Sequence, residues 1–411
     1  MRKYLIISLL ASYSIVFAGE SEDFKAVDNL YKERNFKTAL TESEKFLQKY
    51  PESKHQKSMR DKVAKIYFLE KNYKKAEELF KKLFTMEEKQ SQKEEYASYL
   101  ARANALLNNS NSAMFYLREI KDEKTFQKTF FAVAQDFLAK ENNEAAKKAY
   151  TEIINNKYEN YKESMMGLGI VYYNLKDYDK AIYWLSEFSK AMPNENKEMV
   201  SYLRASAIYR KGSTDEAIKY FEELANMTPA SEYSRKAALY LIEIYSNRKD
   251  EAKVRFYLEK LKGTKEYNTA MTMIGDLYVT KENYEKALDY YNQSNDKNNP
   301  KLIYGEAYSL YKKGKYEEAL KKFQSLKNSD YYNQSIYHIF AINYKLKNFD
   351  EIIRNREIIR KVVVSQVDTD NIIRIIANSA YQVGNYKLAK DYYGRLFAVS
   401  PDKENLFRVI L

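Results

Sequence analysis

Two histidines, His55 and His338, and no cysteine stand among 411 residues. That inventory excludes a disulfide framework, a thiolate metal site and amino-terminal lipidation at cysteine. Carboxylates are plentiful at 57, but among so many a pair at helical spacing is unavoidable and carries no signal. A glycine-rich phosphate loop, a nucleophile elbow and a His-Glu metal motif are all missing. The chain is expected to be no enzyme, with no cofactor and no metal. What remains is tyrosine, 40 residues of it. Its ring offers apolar area with a hydrogen-bonding tip, which is chemistry of recognition.

The elements that position those rings are helices. Only 10 Gly and 5 Pro occur in the whole chain, too few for the turns of an all-β protein. The formal charge is +12, from 69 Lys and Arg against 57 Asp and Glu. The charges are interspersed, as on solvated helix faces, and the balance favours acidic partners.

One phrase recurs along the chain, an aromatic residue followed three later by a small one. It reads Phe36 with Ala39, Tyr73 with Ala76, Tyr178 with Ala181, Tyr284 with Ala287, Tyr316 with Ala319 and Tyr386 with Ala389. Weaker copies at Ser110, Asn143, Thr214, Glu251 and Phe349 complete eleven anchors with a mean spacing of 35 residues. Nine residues before the anchor a small residue stands in eight copies: Ala64, Ala101, Ala134, Gly169, Ala205, Gly275, Ala307 and Ala377. Val27, Ile242 and Phe340 are the exceptions. Fifteen residues after it fall Pro51, Pro193, Pro229 and Pro401, while Pro300 misses by one.

Helix geometry explains the pattern. The two small positions let paired helices approach closely, and large residues six before and seven after the anchor, such as Tyr245 and Phe221, fill the face between them. Proline ends the second helix because it lacks an amide hydrogen. These residues resemble the signature of the tetratricopeptide-repeat family over residues 22–401. The resemblance implies an all-α fold, a right-handed α-solenoid of about eleven helix-turn-helix repeats, with the first helices lining a concave face. In that stack the two histidines lie eight repeats apart and share no site; each reads as a surface or packing residue. Trp184 falls in a second helix and reads as core. The copies at Ser110, Asn143 and Glu251 lack the aromatic anchor and the copy at Phe349 lacks both small residues, so looser packing is expected there. The apolar run Ile358 to Val367 reads as an extension of the second helix.

The register sorts the tyrosines. Five before the anchor stand Tyr173, Tyr209, Tyr311, Tyr344 and Tyr381; twelve before stand Tyr202, Tyr304 and Tyr337, with Tyr308 between. On the concave face they would form a ladder for a partner. With tyrosine so common, the same ladder also fits composition and packing against neighbouring helices. The family's clamp for acidic carboxyl-terminal peptides is matched only by Arg374 with Asn378, in one repeat.

Residues 1–18 read as a secretory signal peptide, with Arg2 and Lys3 ahead of an uncharged apolar stretch to Ala18 and cleavage before Gly19. Without them 67 basic residues face 57 acidic ones, a charge of +10. The solenoid would then span 19–401 and a short capping or self-associating helix 402–411, with no membrane span in the mature chain. The destination is periplasmic or outer-membrane-associated in a Gram-negative cell, otherwise secreted. The resemblance implies a protein–protein interaction scaffold of the bacterial cell envelope, binding a partner segment on the concave face. A polysaccharide-binding or polysaccharide-export scaffold is the alternative, its tyrosines stacking on sugars. A pentatricopeptide-like RNA reader is the third reading; the signal peptide and the lack of a regular pair of base-reading residues argue against nucleic acid.

The register itself is testable. Ala205→Leu overpacks a close helix contact and is expected to destabilise by about 1–3 kcal/mol, seen as a lower urea midpoint. An unchanged midpoint places the register elsewhere.

Overall fold

The computed structural model describes residues 19–399. Within them every regular element is helical, and the helices pair into eleven hairpins. The first helices are α1 Glu20–Lys32, α3 Gln56–Leu69, α5 Gln90–Leu106, α7 Glu123–Ala139, α9 Tyr161–Asn174 and α11 Lys197–Arg210. They continue as α13 Glu232–Asn247, α15 Lys265–Thr280, α17 Pro300–Lys312, α19 Tyr332–Lys345 and α21 Gln366–Gln382. The second helices are α2 Phe36–Lys49, α4 Tyr73–Met86, α6 Ser110–Arg118, α8 Asn143–Asn155, α10 Tyr178–Ala191 and α12 Thr214–Ala225. After them come α14 Glu251–Leu261, α16 Tyr284–Gln293, α18 Tyr316–Ser325, α20 Phe349–Arg354 and α22 Tyr386–Val399. Each of the eleven anchors is the first residue of a second helix. The fold is an all-α helical-repeat solenoid. The chain falls into two compact units that divide between Ala217 and Ile218, inside α12.

A three-residue turn makes each hairpin. The residue two before every anchor has positive φ, from Arg34 at 60° to Gly384 at 77°, and all eleven are exposed. The next N–H then reaches back to the carbonyl six before the anchor, from Asn35 to Leu30 at 2.9 Å and from Asn385 to Ala380 at 2.8 Å. This closes the first helix with a left-handed cap. The same residue starts the second helix: it is Asn, Asp or Ser in every hairpin but the ninth, where it is Lys315. The side chains of Asn72, Asn142, Asp177, Asp250 and Asn283 accept an amide hydrogen of the new helix, worth about 1 kcal/mol each.

The small positions do what the spacing requires. Ala39, Ala76, Ala113, Ala146, Ala181, Ala217, Ala287 and Ala319 are fully buried, as are Ala64, Ala101, Ala134, Ala205, Ala307 and Ala377. At Gly169 an added Cβ would lie 2.8 Å from Leu185 Cγ, and at Gly275 it would enter the Tyr291 ring. Phe80, Tyr150, Phe221, Tyr291 and Phe323, seven after the anchor, are buried in full or nearly so. Trp184 is only half-buried, at the edge of the first unit's core. Pro51, Pro193 and Pro229 follow second helices, whereas Pro300 opens α17, where a missing amide hydrogen is tolerated.

The tenth hairpin departs from expectation. The run Ile358 to Val367 does not lengthen α20. That helix ends at Arg354, Arg356–Arg360 forms a 3₁₀ turn, and Ser365 caps α21 by accepting the Asp368 amide hydrogen at 3.1 Å. Val362, Val363 and Val364 are three β-branched residues in a row, which crowd a helix. Ile358, Ile359, Val362 and Val364 still pack on the core, while Val363 and Val367 are exposed. The signal-peptide segment, Pro401 and the helix expected over 402–411 lie outside the described residues.

Three of the eleven left-handed positions hold glycine and eight hold side chains. A Cβ in that geometry costs about 1–2 kcal/mol, so Gly314→Ala is expected to lower the melting temperature. Lys71→Gly is expected to raise it, with a net gain of up to about 1 kcal/mol after the entropy of glycine is counted.

Candidate functional site

Two sets of ring contacts involve the ladder tyrosines, and Tyr311 takes part in both. Four of the five that stand five before the anchor meet the anchor ring across the turn: Tyr173 with Tyr178 at 5.8 Å, Tyr311 with Tyr316 at 6.0 Å, Tyr344 with Phe349 at 5.6 Å and Tyr381 with Tyr386 at 5.5 Å between centroids; the anchor of Tyr209 is Thr214, which has no ring. Tyr31 with Phe36 and Phe68 with Tyr73 repeat the motif. These pairs brace the hairpin ends, although Tyr381 is still half exposed. Tyr173, Tyr202 and Tyr209 are half-buried in the first unit.

The second set surrounds His338. Its ring stacks on Phe323 at 5.0 Å and is flanked by Tyr304, Tyr308, Tyr311 and Tyr337 at 5.3–6.2 Å. Tyr304 Oη and His338 Nε2 are 3.4 Å apart, and the buried Nδ1 meets no protein partner. Burial drives the His338 pKa down to about 4, with Asp368 opposing, so the imidazole is neutral at physiological pH. Burial raises the Tyr304 and Tyr311 hydroxyls. The result is a neutral aromatic cluster joining first helices α17 and α19, with its four tyrosines half-buried.

Other seams between first helices are crossed by charge. In the first unit Lys62 pairs with Asp28 at 3.3 Å, Lys65 with Glu95 at 2.7 Å, and Arg102 with Asp136 through two hydrogen bonds of 2.8 and 3.2 Å. Burial alone would lower the Lys65 ammonium, but its hydrogen bonds to Glu95 and Asp61 outweigh that and raise it. Arg102 also covers Phe68 at 5.2 Å. In the second unit Arg235 meets Glu266 at 3.2 Å and Lys301 meets Asp276 at 2.9 Å. Arg374 and Asn378 are both half-buried, and Asn378 accepts a hydrogen bond from the hydroxyl of Tyr393 in the same hairpin.

Two irregular hairpins hold cavities. One of about 170 Å³ lies beside the broken α20, walled by Ile336, Phe340, Ile352 and Ile358 with Asn343 and Asn355 at its edge. Another of about 390 Å³ lies between the seventh and eighth hairpins, backed by a third of about 360 Å³ that shares Ser246, Ile274 and Leu277. Phe349 and Glu251 anchor the two hairpins concerned, copies whose sequence departs from the repeat. Among the described residues no group of three or more His, Asp or Glu could hold a metal, and no helix is long and apolar enough to cross a membrane.

A tetratricopeptide-repeat family model matches residues 143–330, and a second model of the same description matches residues 62–90. The chain is a tetratricopeptide-repeat protein. Repeats of this family generally serve as protein–protein interaction scaffolds, and its members are typically non-enzymatic. No curated protein sequence matches the chain. Solved structures similar to it include the APC/C hetero-tetramer Cut9-Hcn1, at 12% identity over 95% of each chain with a TM-score of 0.32. Yeast Tom70 aligns at 12% identity over 95% of this chain and 94% of its own, with a TM-score of 0.37. A tetratricopeptide repeat protein from Parabacteroides merdae ATCC 43184 aligns at 10% identity over 71% and 98%, with a TM-score of 0.40.

The His338 cluster is expected to make this repeat protein sensitive to acid. The folded pKa lies below the ordinary 6.5, so the unfolded chain binds the proton more readily between the two values. The cluster's contribution is complete above pH 6.5 and is lost as pH falls toward 4, on the order of 3 kcal/mol in all. Urea midpoints measured at pH 7 and pH 4.5 should show the loss, and His338→Phe should shrink it.

Proposed function

We propose that the chain is an exported, non-enzymatic scaffold of the bacterial cell envelope that binds a segment of a protein partner along its first helices. The observation that carries this reading is the tyrosine cluster of α17 and α19. Its neutral rings pack around His338 and are each half-buried, so packing limits their freedom while part of each side chain stays accessible to solvent. Rigid amphipathic rings lose little entropy when a partner orders against them. Export rests on the amino-terminal segment, whose basic start and apolar stretch to Ala18 have the composition of a signal peptide.

Purification of the tagged chain from the envelope of its own organism, with mass spectrometry of what accompanies it, is expected to return a specific protein. Tyr308→Ala with Tyr337→Ala should lower its recovery at least about tenfold, equivalent to about 1.4 kcal/mol, with the melting temperature little changed. Recovery that the double variant leaves untouched overturns the tyrosine face. Half-open tyrosines also suit sugar rings, and glycan binding lost in the double variant while protein recovery persists would select the polysaccharide reading. Mature protein beginning at Gly19 is the expected sign of export; an intact amino terminus on cytoplasmic protein overturns it.

A further inference from the structure

We infer that the cavity between the seventh and eighth hairpins is a binding pocket for an aromatic side chain flanked by carboxylates in a peptide. It is formed by α13 to α16 and stands independently of the tyrosine face of α17 and α19.

The pocket coincides with a departure from the repeat. In six hairpins a ring five before the anchor meets the anchor ring and fills the turn end. In the seventh hairpin the same two positions are Ser246 and Glu251, and Val254 replaces the small residue that follows. Two rings are thus missing from the place where the turn would hold them, and the cavity of about 390 Å³ lies there. That volume falls within the roughly 300–1,000 Å³ of small-ligand sites.

Its lining specifies what fits. The floor is apolar, with Val254 and Ile274 buried. One wall is a stacked pair, Tyr278 on Tyr290, 5.5 Å apart with their planes at 13°. Ser246 places a buried Oγ there that meets no protein partner. An aromatic side chain matches the floor and the wall, and a tyrosine hydroxyl or a peptide group can engage Ser246.

The rim adds charge of one sign. Lys249, Arg255, Lys281 and Lys286 line the pocket and are exposed, while Glu251 is the one acidic residue among its lining. Glu251 holds Arg255 and Lys286 only loosely, at 3.6 and 3.8 Å. Lys281 and Lys286 lie over the Tyr278 ring at 5.9 and 5.2 Å, which keeps them at the mouth. Four cations against one carboxylate leave an excess that acidic residues on either side of the inserted ring would neutralise.

The test is fluorescence anisotropy with the intact chain and a labelled pentapeptide, Asp-Glu-Phe-Glu-Asp. Saturable binding that weakens as salt is raised is expected. The same peptide with Ala for Phe, and a Lys-Lys-Phe-Lys-Lys peptide, should each bind at least about tenfold more weakly. Ser246→Tyr with Glu251→Phe rebuilds the ring pair of the other turns and should abolish binding while leaving the helical circular dichroism intact. Should that variant fail to fold, Lys281→Glu at the exposed rim decides, with a similar loss expected. No saturable binding by the native chain overturns the proposal. So does equal binding of the Ala peptide, or equal affinity in the filled or Lys281→Glu variant.

Discussion

A positive φ two residues before each second helix is the constraint on which every hairpin depends. It reverses the chain within three residues and satisfies the last carbonyls of the first helix. It also leaves the next residue outside helical geometry, in place to cap the second. With that turn fixed, the small residues nine before and three after the anchor face each other, and the two backbones can meet. Most of these positions hold Lys, Arg, Glu or Asn rather than Gly. Their strain is borne because each sits at an exposed tip while the helices behind it are closely packed.

The periodicity of the sequence locates this architecture to the residue, since all eleven anchors begin second helices. Small side chains and prolines made it legible, because both report a backbone requirement rather than a preference. The turn position itself was not legible. Gly212, Gly314 and Gly384 mark it in three hairpins, but charged residues occupy it in most of the others and leave no compositional trace. The run after Phe349 misled for a related reason. Apolar periodicity shows that Ile358 and Val362 face a core, but a 3₁₀ turn and the irregular segment after it can hold them there without a helix.

The candidate sites were only partly legible. Helical spacing places Tyr311, Tyr344 and Tyr381 on one face, yet it cannot show that a turn brings each against a ring five residues later. His338 gave no sign of being the centre of a cluster, because its neighbours come from three helices. The departures from the repeat were more informative than the matches. Where Ser246 and Glu251 replace a ring pair, and where Phe340 and Ile352 replace small residues, the packing leaves cavities.

The seams between first helices carry a further consequence. Ion pairs cross α1 to α3, α3 to α5 and α5 to α7, and again α13 to α15 and α15 to α17; rings cross α17 to α19, and Phe68 with Tyr99 adds a ring contact to the ion pair between α3 and α5. Mobile ions weaken partly exposed charge pairs and leave ring contacts untouched. Within each unit the response of these joints to salt is therefore expected to differ from seam to seam. Ionic strength should loosen the charge-crossed joints while the tyrosine-lined joint keeps its shape, so the medium would tune the repeat contacts but not the form of the aromatic face.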